Sequence, residues 1–384
     1  MSVVFERPPL WRRLAPVFSG FDGPLLFGLA VLAGLGLMSM YSAGFDHGTR
    51  FVDHARNMGL ALGIMFLVAQ VPPQRLMRIA VPLYVLGVAL LVATALFGIT
   101  KKGATRWLNL GVVIQPSELM KLAMPLMLAW WFQKREGQLR TLDFAVAGAL
   151  LMVPVGLVMK QPDLGTSLLI LSGGLYVIYF AGLSWRLIIP VLAAGALGIT
   201  ALVLSADTIC QDGVTWPLLR EYQRHRVCTL LDPTTDPLGK GFHIIQGMIA
   251  IGSGGVTGKG FMQGTQTHLE FIPERTTDFI FAAYAEEFGL IGTLGLIAAF
   301  SFVLLRGLMI AAEAPTVFTR LLGGALTLSF FTYAMVNMGM VSGILPVVGI
   351  PLPFISYGGT AMVTLGLSLG MLMSIARSRR LMQS

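Results

Sequence analysis

In residues 271–289, FIPERTTDFIFAAYAEEFG, a charged segment leads directly into a predicted membrane helix. Glu274, Arg275 and Asp278 precede an apolar run that begins at Phe279. A carboxylate at such a boundary is partly desolvated, and this raises its basicity toward the range that a general base needs. Asp278 is therefore the first candidate for a catalytic residue.

Apolar segments of spanning length recur along the whole chain. The 384 residues are 55% hydrophobic and 12% charged, with a mean hydropathy of +0.75. This composition excludes a soluble protein and predicts an all-α polytopic membrane protein that forms a single domain over residues 1–384. The first apolar segment is too long for a signal-peptide core and is interpreted as a retained span. Ten spans are predicted, at about 21–42, 55–71, 76–98, 117–132, 144–160, 165–182, 186–205, 278–305, 320–341 and 358–376.

The net charge of +8 is explained by the positively charged cytoplasmic loops of a membrane protein. No cluster of basic and aromatic residues indicates a nucleic-acid-binding groove. On the predicted topology, one set of short loops and both termini carry fourteen Lys and Arg residues, and the opposite short loops carry seven. The excess of positive charge predicts that both termini are cytoplasmic. A long loop, about residues 206–277, then faces the outside.

The long loop contains the only two cysteines and a run of glycines. A disulfide between Cys210 and Cys228 is sterically possible in an oxidising compartment but is not required. The run GSGGVTGKG, residues 252–260, resembles a phosphate-binding loop, but the Walker spacing is absent and no strand precedes it. A tight turn of glycines is the preferred interpretation.

Residues 341–360, VSGILPVVGIPLPFISYGGT, interrupt an apolar stretch with three prolines and four glycines. Broken backbone at membrane depth is tolerated only where protein or a water-filled cavity satisfies its polar groups. The segment therefore predicts a re-entrant or interfacial loop packed against the long loop. A kinked helix with ordinary packing glycines is the alternative.

Charged residues within the membrane boundary are costly, so each is a candidate for function. Glu118 falls in the first turn of the fourth span, after Pro116 and a predicted cap at Ser117, and Lys121 follows on the same face. Two interpretations stand: a structural salt bridge, or an ammonium presented to an anionic substrate. Asp163 either caps the sixth span or binds substrate.

Other polar groups have less specific patterns. Lys101, Lys102 and Arg106 lie beside Trp107 in a predicted amphipathic outer loop, where they contact lipid headgroups or bind a pyrophosphate. Helical spacing directs Glu286 and Glu287 away from the face of Asp278. No histidine or cysteine pattern has the spacing of metal ligands, so no metal site is predicted.

Several segments resemble the SEDS family (shape, elongation, division and sporulation) in sequence and in order. They are RWLNLGVVIQPSELMK, KQPDLGTSLL, DPLGKGFHIIQ and FIPERTTDFIFAAYAEEFG, followed by a signature at Asn337, Gly343, Pro346, Gly349, Pro353 and Ser356 to Thr360. Arg275, within IPER, and the upstream GTQTHLEF are similar to the rod-shape branch of the family. Thr276 departs from the histidine common in that branch.

The resemblance implies a peptidoglycan glycosyltransferase that polymerises lipid II into a β-1,4 glycan by an inverting transfer during cell elongation. Asp278 matches the family's catalytic aspartate, and Glu118, Lys121 and Asp163 match its other polar membrane positions. For the leaving pyrophosphate, Lys121 is the first choice as a contact, followed by Arg106 and Arg275. A divalent cation such as magnesium or manganese is an optional aid, with no dedicated metal ligands in the sequence.

The same resemblance implies residence in the bacterial inner membrane, with the active site outside. It implies the nascent glycan as second substrate and a class B penicillin-binding transpeptidase as partner. Two other functions fit ten spans with buried charges. A lipid II flippase requires no chemistry at Asp278, and a non-catalytic scaffold for the transpeptidase makes the polar residues structural.

Overall fold

The structure is a computed structural model that describes residues 20–46, 48–101, 104–109, 111, 113–211, 214, 221–236 and 239–383. Within these ranges, eight helices are long and apolar enough to cross a membrane. Together with the two shorter helices α4 and α6, they account for the ten predicted spans. The ten are α1 (Gly23–Ala43), α2 (Arg50–Ala69), α3 (Pro73–Phe97), α4 (Pro116–Gln133), α5 (Thr141–Lys160), α6 (Leu164–Phe180), α7 (Trp185–Leu204), α12 (Ile280–Ala312), α13 (Val317–Val341) and α14 (Gly359–Gln383).

Several helices extend beyond their apolar stretches. Helix α2 begins at Arg50, because Asp53 and Arg56 form an ion pair at 3.0 Å within its first turns. Helix α12 continues past residue 305 to Ala312. Hydropathy therefore located the cores of the helices but not their charged ends.

Caps explain where other helices begin. Asp22 caps α1 by accepting a hydrogen bond from the Leu25 amide at 3.0 Å, and it also binds Arg306 of α12. The predicted cap at Ser117 is wrong. Gln115 occupies the cap position of α4 because Pro116, with its fixed φ, takes the first helical position.

Close packing of α14 on α2 depends on two glycines four residues apart. A methyl group at Gly366 would lie 2.4 Å from the Ala61 carbonyl oxygen, and one at Gly370 would lie 2.9 Å from the Met65 carbonyl oxygen. Small residues at this spacing let two membrane helices approach closely. By contrast, α7 has no buried residue.

The predicted amphipathic outer loop is instead a small antiparallel sheet, which the all-α prediction did not include. Its strands are β1 (Ile99–Lys101), β2 (Ala104–Asn109) and β3 (Val113–Ile114), in the order β1-β2-β3. The stretch is rich in β-branched and aromatic residues, which favour strands once a partner strand is available. Lys102 lies outside the described residues.

The long loop is largely helical where the structure describes it. It contains α8 (Ala206–Ile209), α9 (Glu221–Leu231), a 3₁₀ turn (Pro233–Thr235), α10 (Lys240–Gly254) and α11 (Thr265–His268). Cys210 and Cys228 form a disulfide, with their Cα atoms 5.6 Å apart. Helix α10 packs against α12 and so ties the loop to the bundle.

Helix α12 is broken at Gly289, where φ is +63° and ψ is −161°. The run 252–260 supplies the hydrogen bonds that the break removes. The amides of Lys259 and Gly260 donate to the carbonyls of Glu286 and Glu287 at 3.1 and 3.0 Å. The amides of Leu290 and Ile291 donate to the carbonyls of Gly255 and Val256 at 2.9 and 3.1 Å. The glycines thus form the predicted turn, and this run also satisfies the main-chain amides and carbonyls that the break in α12 leaves without helical partners.

The proline- and glycine-rich segment 342–358 is non-helical and joins α13 to α14. Its second half, residues 350–356, is mostly buried, with Phe354 1% exposed and Ile355 fully buried. Its hydrogen bonds to Thr276 and Thr277 place it against the end of the long loop, as predicted. The alternative of a continuous kinked helix is wrong.

Candidate active site

Asp278 lies in the turn that precedes α12, where the long loop meets the bundle. Its side chain is half-buried, while the adjacent Phe279 is 1% exposed. The carboxylate therefore sits at a boundary between the apolar bundle and the polar loop, which is the environment that the sequence predicted.

Three consecutive main-chain carbonyls hold this turn in place. The Thr276 carbonyl accepts from the Tyr357 amide at 2.8 Å, and the Thr277 carbonyl accepts from the Ser356 hydroxyl at 2.6 Å. The Asp278 carbonyl accepts from the side-chain amide of Asn337 at 2.9 Å. Because two separate segments supply these donors, the direction of the Asp278 side chain is fixed by the fold.

Gly349 provides the surface against which the Asp278 carboxylate lies. A methyl group at Gly349 would come within 3.2 Å of Asp278 Oδ2, and the glycine has a φ of +72°. Both features favour glycine, since a side chain would be strained and would crowd the carboxylate. The adjacent Ile350 carbonyl accepts a second hydrogen bond from Asn337 at 2.7 Å.

Glu118 and Lys121 form a buried ion pair, with 2.6 Å between Lys121 Nζ and Glu118 Oε1. The Lys121 side chain is 8% exposed and lies over the Tyr333 ring, 5.2 Å from its centroid. Thr364 of α14 donates to the other Glu118 oxygen at 2.9 Å. The ammonium borders a space of about 20 Å³, enough for one water molecule.

Arg106 and Asp163 come together although they are far apart in sequence. Arg106, on β2, donates to the Pro162 carbonyl at 2.6 Å, and its Nε lies 3.7 Å from Asp163 Oδ2. Asp163 also caps α6 by accepting from the Thr166 amide at 3.2 Å. The predicted capping role is therefore confirmed, and the same carboxylate orients Arg106, whose side chain remains 30% exposed.

These groups are connected through the segment 342–358. Gly165, two residues after Asp163, packs against the Val348 carbonyl, where a methyl group would lie 2.9 Å away. The next residue, Gly349, lies against Asp278. On α13, Tyr333 and Asn337 are one turn apart, so the Lys121 pair lies about 6 Å farther along this helix than the anchor of Asp278.

Arg275 is buried and paired with other residues, whereas a residue that contacts substrate must be accessible. Its side chain is 8% exposed, pairs with Asp46 and donates to the Ala43 carbonyl at 3.1 Å. A weaker contact joins it to Glu270 at 3.7 Å. These partners tie the start of the turn that carries Asp278 to the end of α1.

The two glutamates of α12 also have other partners. Glu286 is fully buried and accepts from Lys259 Nζ at 2.6 Å and from the Gln266 amide at 2.8 Å. Glu287 accepts from the Ser42 hydroxyl. Both carboxylates join the long loop or α1 to α12.

Sequence reasoning assigned no role to Asn337, Gly349, Ser356, Tyr333 or Thr364. The first three belong to the family signature, and a polar Asn337 within an apolar helix was a signal in itself. Tyr333 and Thr364 gave no signal, because only the packing of α13 and α14 around α4 brings them to the ion pair.

The described residues contain no cluster of three His, Cys, Asp or Glu side chains that could hold a metal ion. We therefore assign no reaction step to a cation.

Comparison with known proteins identifies relatives over nearly the whole chain. The profile of a family of cell cycle proteins, FtsW/RodA/SpoVE, matches residues 24–381. The chain is 47% identical over 360 residues to the peptidoglycan glycosyltransferase MrdB of Escherichia coli K12, covering 93% of this chain and 94% of MrdB.

Two solved structures have the same fold. One is a chain of a peptidoglycan synthase complex, with a TM-score of 0.77, 34% identity, and coverage of 94% of this chain and 98% of that chain. The other is the rod shape determining protein RodA of Thermus thermophilus, with a TM-score of 0.69, 28% identity and the same coverage.

Proposed function

The chain belongs to the FtsW/RodA/SpoVE family, and on this premise we propose that it is a multi-pass peptidoglycan glycosyltransferase of the bacterial inner membrane. The observation that carries the proposal is the placement of Asp278, half-buried in a turn whose three carbonyls are anchored. Similarity to MrdB supports the reaction class, and the chemistry below is derived from the residues of this chain.

In the proposed reaction, Asp278 is the general base. It takes the proton from the 4-hydroxyl of N-acetylglucosamine on the acceptor, and this oxygen attacks the anomeric carbon of N-acetylmuramic acid on a lipid-linked donor. The bond from that carbon to the pyrophosphate oxygen breaks, and undecaprenyl pyrophosphate leaves with the electron pair. A single displacement inverts an α-linked donor into a β-1,4 product and needs one base.

The negative charge that develops on the leaving pyrophosphate must be stabilised by a nearby positive charge. All three cations proposed from the sequence have a carboxylate partner, but Arg106 is the most accessible, at 30% exposure, whereas Lys121 and Arg275 are 8% exposed. We therefore place Arg106 first as the pyrophosphate contact. Lys121 then acts by holding Glu118 and Tyr333, which shape the interior behind the catalytic turn.

The orientation and the partner are parts of the same proposal. The Cys210–Cys228 disulfide supports a long loop on the oxidising side of the membrane, and the distribution of Lys and Arg supports cytoplasmic termini. The related chain of known structure belongs to a peptidoglycan synthase complex. We infer that this chain also works with a class B penicillin-binding transpeptidase.

The test is polymerisation of lipid II by the purified protein with its transpeptidase partner, whose crosslinking activity is blocked. Asp278→Asn keeps the shape of the side chain and removes the base. Glu270→Gln, an exposed carboxylate in the same segment, is the matched control. Glycan from the wild type and the control but none from folded Asp278→Asn is the expected result.

Three outcomes contradict the proposal in different ways. If Asp278→Asn makes as much glycan as the wild type, Asp278 is not the base, but the protein is still a glycosyltransferase. No glycan from any protein, together with transfer of labelled lipid II across vesicle membranes, makes the chain a flippase. No glycan and no transfer leaves only the scaffold function.

A further inference from the structure

A pocket of about 380 Å³ opens at the end of the bundle that is remote from Asp278. The ends of four helices form it: the starts of α3 and α13 and the ends of α4 and α14. Gln74, Lys134 and Ser378 line its polar side, and Met77 and Phe318 line its apolar side. We call it the basal pocket.

Its position follows from the length of α13. This helix begins at Val317 beside the basal pocket, and Asn337, which binds Asp278, lies twenty residues later. At 1.5 Å per residue, the two points are about 30 Å apart, the thickness of the hydrocarbon core. The basal pocket therefore lies at the opposite membrane surface from the catalytic turn.

One cation, Lys134, lines the basal pocket, and three more lie close to its lining residues in sequence. Lys134 is exposed, and so are Arg75, Arg78 and Arg320, which are neighbours in sequence of lining residues. Within the part of the chain that the structure describes, none of these four cations is paired with a carboxylate. Their charge is thus available to a ligand.

Two acidic groups are paired with arginines, while Glu136 and Glu313 are exposed carboxylates close in sequence to Lys134 and Pro315. Asp22 binds Arg306, and Asp143 binds Arg135 at 2.7 Å. Glu136 accepts from Gln133 Nε2 at 2.7 Å, while Gln133 Oε1 accepts from the Phe318 amide at 2.7 Å. Gln133 is therefore a fixed wall of the basal pocket, and Lys134 and Gln74 are the polar groups that face a ligand.

We propose that the basal pocket binds one phospholipid with an anionic headgroup, from the leaflet opposite Asp278. The phosphate and the anionic headgroup would contact Lys134 and Gln74, with Arg75, Arg78 and Arg320 adding long-range attraction. The glycerol and the first part of the acyl chains would pack on Met77 and Phe318. Basic pockets between helix ends on the cytoplasmic side suit such lipids, since each cation adds to the attraction. The combination of nearby cations and an apolar wall favours an amphiphile over a free anion.

Native mass spectrometry of the delipidated full-length protein in detergent tests the proposal. Phosphatidylglycerol and phosphatidylcholine with the same acyl chains are the probes. We expect tighter binding of phosphatidylglycerol, and roughly a fivefold weakening in Lys134→Gln, the effect of one interfacial cation. Lys160→Gln, an exposed lysine at the other end of the bundle, is the matched control and should change binding less than twofold.

A photoreactive phosphatidylglycerol then locates the site, with adducts expected near residues 73–77 and 315–319. Equal affinity for the two lipids, or equal weakening in both variants, would overturn the proposal. Displacement of the lipid by excess inorganic phosphate would assign the basal pocket to a diffusible anion instead. Because Lys134 is exposed, the variant should fold, and an unchanged melting temperature confirms this before the affinities are compared.

Discussion

Asn337 joins the turn that carries Asp278 to the segment that covers it, because its side-chain amide donates to the Asp278 carbonyl at 2.9 Å and to the Ile350 carbonyl at 2.7 Å. The asparagine is fully buried in α13. One amide group thus fixes the distance between the turn that carries Asp278 and the loop that contacts its carboxylate.

We predict that Asn337→Asp lowers the rate of lipid II polymerisation by roughly a hundredfold, the order expected when a reacting group is displaced by about 1 Å. The substitution keeps the size of the side chain but turns a donor into an acceptor that faces two carbonyls. Asn57→Asp on α2 is the control. A rate within twofold of the wild type would show that Asn337 does not position Asp278.

The Glu118–Lys121 pair allows structural and functional roles to be separated. Lys121→Met alone leaves a buried carboxylate without its cation, and we expect a loss of about 3–5 kcal/mol in the free energy of unfolding. In the double variant Glu118→Gln/Lys121→Met, most of this stability should return. If polymerisation also returns, the pair is structural, whereas a stable but inactive double variant assigns Lys121 a direct role in the reaction.

Arg106 and Arg275 should respond differently to replacement by lysine. Arg106→Lys weakens a pyrophosphate contact, so we expect a higher KM for lipid II with little change in the melting temperature. Arg275→Lys disrupts a buried contact with Asp46, so we expect a lower melting temperature and a KM within twofold of the wild type. The reverse pattern would restore Arg275 as the substrate contact.

The break in α12 predicts a sharp contrast between two glycines of the long loop. A methyl group at Gly258 would lie 2.1 Å from the Glu287 carbonyl oxygen, at a φ of +79°. Gly252 has open space around its α-carbon. Gly258→Ala should therefore lower the melting temperature and activity together, while Gly252→Ala should leave both unchanged or slightly raised. Equal effects would show that the loop does not pair with α12 as described.

The disulfide can be tested by labelling thiols in membranes before and after reduction. We expect modification of Cys210 and Cys228 only after reduction. A loop of 18 residues closed by a disulfide is stabilised by about 3 kcal/mol, so reduction should also make this part of the loop more sensitive to protease. Labelling without reductant would contradict the pairing.

The helices could be predicted from sequence because lipid imposes length and apolar composition on each span separately. The partners could not, because they come from distant segments. Nothing local in β2 indicates that Arg106 meets Asp163, and no pattern in α12 shows that Gly289 breaks the helix. Arg275 was assigned to substrate from its distance in sequence to Asp278, whereas its partner Asp46 follows α1.

The break at Gly289 also sets an order of events during synthesis. Gly255 to Gly260 leave the ribosome about thirty residues before Leu290 and Ile291, so their main-chain partners do not yet exist when the long loop is first exposed. The end of the loop can settle only after α12 has entered the membrane. Correct assembly of the half of this protein that contains Asp278 is therefore a late, post-insertion step, and a nascent chain truncated before residue 289 should keep this segment accessible to protease.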